Sequence, residues 1–256
     1  MHWDHERYCD AAQQETESFA DRVRDADLDT PVPTCPGWTL AKLIRHLGRT
    51  HRWAGGLVER RARQQASARE LGIVAPDDPA ELRPWFEEGA AALLRTLRAA
   101  DPDEAVWTWG PDQHVRFWSR RMLHETAVHR YDADNALGAE TGFSAGVADD
   151  GIAEFAANLE SVAAFSPKVG RLRGDGTVLA FTASDTGTRM LLRLLPDRFD
   201  WTRADGAGDA RADAEVTAAA GDLYLFLWGR RRIGDPGIRA RGDEAVLTLW
   251  TENAAI

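Results

Sequence analysis

The stretch that most constrains the fold is Trp118–Asp132, Trp-Ser-Arg-Arg-Met-Leu-His-Glu-Thr-Ala-Val-His-Arg-Tyr-Asp. It holds no Pro or Gly and has good helix formers through its middle, so it reads as helix. Trp118, Met122, Glu125, His129 and Asp132 recur at steps of 4, 3, 4 and 3, which on a 3.6-residue period draws one stripe. The stripe begins as core and continues as ionisable groups. Such a helix must bury Glu125 and His129 with partners or point them into a cavity, because an unpaired buried carboxylate or imidazole is costly. Side chains four apart on a helix have Cβ atoms roughly 5–6 Å apart. Both can then reach one metal ion through bonds of about 2.0–2.2 Å. Two residues alone leave open a Glu–His ion pair, or a buried histidine bonded to the backbone.

At 256 residues the chain can form two domains or one large one and can bury a substantial core. With 44% hydrophobic residues and 10 Trp it is globular rather than disordered. A formal charge of −10 argues against nucleic-acid binding, whose footprint is a basic face. The basic residues are nearly all Arg, which suits planar recognition of carboxylates but also follows from genome composition. Two cysteines, Cys9 and Cys35, make no disulfide framework. No signal-peptide-like apolar run opens the chain and no segment reaches about 18 apolar residues. A soluble cytoplasmic protein without a membrane partner is expected.

Periodicity predicts four long amphipathic helices in the first half. The first spans Trp3 to about Arg24. The second follows a Pro-rich connector at Asp27–Trp38, starts at Thr39 as N-cap and runs to about Gln65. The third is Pro79–Ala100, and the fourth runs from about Gln113 to about Leu137. Short to medium links suggest an antiparallel bundle. A further helix, Val147–Phe165, is closed by Pro167. Beyond it the pattern turns to strands at Thr177–Ala183, Arg189–Leu195, Asp200–Arg203 and Ala214–Ala218, with turn signals between them. Gly221–Arg232 reads as helix, and Ile238–Thr251 as a short strand and a terminal helix. The fold class is therefore α+β: a helical bundle over 1–140, a connecting helix and linker over 141–170, and a smaller α/β domain over 171–256.

A catalytic metal site usually has three protein ligands and an open position. His46 is the best third candidate, on the flank of the apolar stripe Leu40, Leu43, Leu47, Ala54 and Leu57. His51 points elsewhere on that helix, and His124 lies about 100° from the Glu125/His129 face. His114 reads as exposed, and His2 and His5 sit near a terminus. Cys35, fixed between Thr34 and Pro36, reads as structural. Arg230 and Arg231, at the end of a helix, are candidate anchors for an anionic group; a solvated basic helix end is the plainer reading.

Val32-Pro-Thr-Cys-Pro-Gly-Trp-Thr39, Leu43-Ile-Arg-His-Leu-Gly48 and His51-Arg-Trp-Ala54, followed by Glu125, His129, Arg130 and Asp132 in the pattern Glu-x-x-x-His-Arg-x-Asp, resemble the signatures of the mycothiol-dependent maleylpyruvate isomerase family. The resemblance implies a DinB-like metal-binding four-helix bundle and a C-terminal domain similar to sterol-carrier-protein folds. It implies His46, Glu125 and His129 as ligands of a divalent metal, usually zinc. It further implies mycothiol, the small thiol of actinobacteria, as cosubstrate. The expected enzyme is an isomerase or thiol S-transferase acting on a small electrophile. Arg130, Asp132, Arg230 and Arg231 are expected on the substrate side, the last two from a second domain that walls the pocket. The alternatives are metal-hydroxide hydrolysis on the same bundle and a non-catalytic metal-binding protein.

Overall fold

The computed structural model describes residues 3–163, 165–204 and 211–254. Two compact units divide the chain, Met1–Thr141 and Gly142–Ile256. In the first, α1 (His5–Arg22), α2 (Leu40–Glu59), α3 (Pro79–Ala99) and α4 (Val115–Ala136) form a four-helix arrangement. Helix α1 packs chiefly on α4 and α2 on α3, and the α1–α3 and α2–α4 contacts close the ring. Local chemistry sets the helix starts. The Asp4 carboxylate accepts from the Arg7 amide, and Asp78 accepts from Ala80 with Pro79 in the first turn. Thr39 does occupy the N-cap position of α2, but its hydroxyl makes no capping bond.

Helix α2 stops at Glu59, about a turn and a half before the expected end. Arg61 takes a left-handed φ of 49°, and the Ala62 and Arg61 amides donate back to Leu57 and Val58 at 2.9 Å. That is a helix-ending motif usually built on glycine, so an arginine there gave no sequence signal.

Two apolar clusters fill the bundle. Phe19, Leu40, Leu43, Ile44, Leu47, Leu82 and Phe86 make one, and Tyr8, Leu57, Leu97, Trp118 and Met122 belong to the other. The loop tryptophan Trp107 meets Trp53 edge-on at 5.8 Å, and Trp53 meets Trp118 at 5.2 Å, so this loop caps the second cluster. Helix α4 is buried nearly all round. Its buried positions include Trp118, Arg121, His124, Thr126, His129, Arg130, Asp132 and Asp134. Charged groups at such depth require partners, and they find them in one another and in α1 and α2.

The Pro-rich connector between α1 and α2 is a tight loop. Pro31 pairs with Thr39 as an isolated antiparallel bridge. Inside it the Cys35 amide donates to the Val32 carbonyl and the Trp38 amide to the Cys35 carbonyl, both at 3.0 Å. Gly37 has φ +80°, a conformation that L side chains rarely adopt. This double turn fixes where Cys35 and Trp38 point.

In the second unit, β1 (Val178–Ala183), β2 (Arg189–Leu194), β3 (Phe199–Ala204), β4 (Ala214–Ala218) and β5 (Arg239–Gly242) form one sheet in the order β3-β2-β1-β4-β5. Only the β1–β4 pairing is parallel. Helix α5 (Ala145–Val162), expected as a connector, packs on α6 (Ala220–Leu227) inside this unit. The terminal helix α7 (Glu244–Asn253) brings Trp250 to 4.6 Å from the Phe181 ring. Helix α6 ends at Leu227, not Arg232, because Gly229 turns left-handed at φ 71° and the Arg230 amide folds back onto the Leu225 carbonyl. Among the described residues no helix is long and apolar enough to cross a membrane.

Candidate metal centre

Helix α2 carries His46, and α4 carries Glu125 and His129 one turn apart. One donor atom from each lies within 4.8 Å of the other two. Glu125 Oε1 is the meeting point, 2.8 Å from His46 Nε2 and 3.5 Å from His129 Nε2. The two imidazoles meet edge to face with centroids 4.8 Å apart.

The remaining donor atom of Glu125 and that of His129 are each held from behind. Arg121, one turn before Glu125, donates from Nη2 to Oε2 at 2.8 Å. His129 donates from Nδ1 to Asp132 Oδ2 at 2.7 Å, and the Cys35 thiol donates to the same oxygen at 3.3 Å. Asp132 is fully buried. A carboxylate on the far nitrogen of a ligating histidine fixes the tautomer and raises basicity at Nε2. Cys35, His129 and Asp132 also bring three donor atoms within 4.8 Å of one another. There, however, the histidine nitrogen already donates a hydrogen bond to the carboxylate, so we read that trio as support. Trp38, delivered by the double turn, lies over both histidines, 5.0 Å from the His46 ring and stacked at 6.1 Å on His129.

The electrostatics follow the contacts. Burial works against ionised Glu125, but hydrogen bonds from His129 and His46 and the Arg121 charge hold its carboxyl well below the usual range. Burial likewise works against charged His129, yet the bonds to Asp132, Cys35 and Glu125 outweigh it and push the imidazole up to about 10. A metal entering here would displace that proton.

Two imidazoles and one carboxylate match the three-ligand pattern of catalytic zinc sites. In a tetrahedron with bonds of about 2.0–2.2 Å the donor atoms lie roughly 3.3–3.6 Å apart; the Glu125–His129 separation of 3.5 Å matches that, and the 2.8 Å from Glu125 to His46 is a hydrogen bond that a metal would replace. The His46 side chain is 36% exposed and that of Glu125 17%, so one side of the trio faces outward. The residues present fit a divalent metal.

The other histidines stand apart. His51 is 1% exposed and lies 2.9 Å from Thr126 Oγ1, whose hydroxyl donates to the Met122 carbonyl. The ring therefore gives its Nε2 proton to Thr126 and stays neutral, with burial lowering its pKa to about 4. His124 is fully buried and joins neither cluster. His114 pairs with Asp112 at 2.6 Å, and His5 lies 2.8 Å from the Leu97 carbonyl. His2 falls outside the described residues.

Arg130 and Asp132, expected on the substrate side, have other work. Arg130 is 8% exposed and donates to Glu15 at 2.5 Å and Asp134 at 3.0 Å, tying α4 to α1. Asp132 faces His129 and Cys35. Arg230 and Arg231 lie past the end of α6. Arg230 donates to the Trp228 carbonyl at 2.8 Å, and Arg231 to the Pro236 carbonyl at 2.6 Å with Asp222 3.4 Å away. Arg121 and Trp38 are contributors that sequence reasoning missed. Arg121 had a signal, its i,i+4 spacing to Glu125; Trp38 had none, since only the folded turn brings it to α4.

No curated protein matches the chain. Among solved structures, the crystal structure of a mycothiol-dependent maleylpyruvate isomerase matches at TM-score 0.63 and that of a histidine-to-alanine variant at 0.65. Each is 16% identical, with 93% of both chains covered, a likeness of fold. The family model described as the mycothiol maleylpyruvate isomerase N-terminal domain matches residues 9–134, and the model of the corresponding C-terminal domain matches 145–249. With both halves matched in order, this chain belongs to the mycothiol maleylpyruvate isomerase family.

Proposed function

We propose that the chain is a metal-dependent isomerase that uses mycothiol as cosubstrate on a small electrophile with an activated double bond. The observation that carries this reading is the convergence of His46, Glu125 and His129 on one point with an outward-facing side. Family membership supplies the thiol. A divalent metal held by these residues, zinc on ligand type, supplies positive charge that favours thiolate over thiol at neutral pH. Arg121 keeps one oxygen of Glu125 turned away from the centre, and Asp132 keeps the His129 Nε2 lone pair turned toward it. Trp38 screens both imidazoles from water on one side. A thiolate sulfur that adds to one end of the double bond leaves a single bond free to rotate. Elimination of the same thiolate returns the other geometric isomer and consumes no thiol. Arg230 and Arg231 are proposed to bind the anionic part of substrate or thiol, and the reaction is placed in the cytoplasm.

The purified protein, with its metal content measured, is incubated with mycothiol and maleylpyruvate, then with a panel of other electrophiles. Isomerised product with mycothiol recovered intact supports the proposal. Stoichiometric loss of mycothiol into a conjugate makes the enzyme an S-transferase. Product formed equally without mycothiol points to hydrolysis or another metal-hydroxide reaction and refutes the thiol role.

A further inference from the structure

One cation beside this centre belongs to the bundle itself and has no part in the reading so far. Lys42 is one of only two lysines in the chain and lies one turn before His46 on the same face of α2. It is exposed. Its ammonium lies 5.5 Å from the centroid of the Trp38 ring, which itself lies 5.0 Å from His46 and 6.1 Å from His129. A single indole thus separates the ammonium from the two ligand histidines. The ammonium donates one long bond, 3.4 Å, to the Gly37 carbonyl, and no acidic side chain among the described residues pairs with it. Helix stability does not explain a cation here. Lys42 sits in the first turn of α2, where the helix dipole opposes positive charge, and that turn holds no acid.

We propose that Trp38 and Lys42 form the acid-recognition edge of the centre. The flat unsaturated part of the substrate lies against the indole and its carboxylate rests on the Lys42 ammonium. This sets which electrophiles are accepted: planar acids rather than neutral analogues. The inference rests on the isomerase reading for its substrate class, but its geometry belongs to α2 and the connector alone. Lys is suited to the task as a point charge on a long stem that reaches past the indole.

Calorimetric binding of maleate to the purified protein, without thiol, tests the inference separately from turnover. Wild type is expected to bind maleate, and Lys42→Met to bind it about 10-fold more weakly, the scale of one hydrogen bond to a charged group. Lys42→Arg is expected to restore most of the affinity, and Trp38→Leu to weaken it while the metal content stays unchanged. Dimethyl maleate should discriminate little between wild type and Lys42→Met. Equal maleate affinity in wild type and Lys42→Met overturns the inference, and so does a wild type that binds no maleate. A protein that binds maleate through Lys42 but turns over nothing with mycothiol sinks the isomerase reading and leaves this edge standing. A protein that turns over, with KM for an acidic electrophile unmoved by Lys42→Met, does the reverse.

Discussion

Asp132→Ala removes one carboxylate and leaves every proposed metal ligand in place. Asp132 is fully buried and accepts the His129 Nδ1 proton at 2.7 Å. Losing such a support typically costs about 10–100-fold in metal affinity, or about 1.4–2.7 kcal/mol. Three features of the structure place the effect in the upper part of that range. The bond is short, water has no access to replace it, and the buried Nδ1–H would be left without an acceptor, itself a penalty of about 1–3 kcal/mol. We expect a loss of about 2.5 kcal/mol, roughly 70-fold, in affinity for zinc measured by competition with a chromophoric chelator at fixed pH. Asp132→Asn should recover part of it, since the amide oxygen still accepts from Nδ1–H but carries no charge. An Asp132→Ala protein that is folded and binds zinc within twofold of wild type would refute the view that this carboxylate orients the ligand.

Four further outcomes are expected. His46→Ala and Glu125→Ala should each lose most of the bound metal by elemental analysis, while His124→Ala, outside both clusters, keeps its stoichiometry. In Gly48→Ala the new Cβ would run into the Trp85 ring; overpacking of about 1–3 kcal/mol should outweigh the gain of about 1 kcal/mol in helix propensity, so Tm falls, and an unchanged Tm counts against the packing described. In metal-free protein, His129 has its folded pKa raised from 6.5 to about 10; its contribution is full below pH 6.5 and is lost as pH rises through about 10, so thermal unfolding should show Tm declining across that window and declining less in His129→Gln. Cys35→Ser should retain metal and turnover, because a hydroxyl can make the same donation to Asp132; a folded but inactive Cys35→Ser would make the thiol part of the chemistry.

Most of the architecture was legible because its causes are local. The α4 stripe, the start of α3 at Pro79 and the alternation of β2 are written within a few residues of where they act. That His46, Glu125 and His129 come together was legible from helical spacing plus a family resemblance. The two helix ends that moved most share one cause: the backbone turns left-handed, at Arg61 for α2, where an arginine carries no such signal, and at Gly229 for α6, where the glycine is the signal. What could not be read was contact between distant segments. Trp38 lies in a connector, and only the Pro31–Thr39 bridge and the Gly37 turn aim it at α4. Arg130 looked available for substrate because nothing local shows that Glu15, 115 residues away, claims it.

The burial of α4 has a kinetic consequence. Two of the three proposed ligands ride on a helix with almost no free face, whose backbone can open only when much of the bundle opens with it. His46 sits on the flank of α2 with over a third of its side chain in solvent. The three bonds should therefore not break in random order. His46 should let go first, and chelators should extract the metal past α2 at a rate set by that one side chain. Amide exchange along α4 should meanwhile stay as slow as global unfolding.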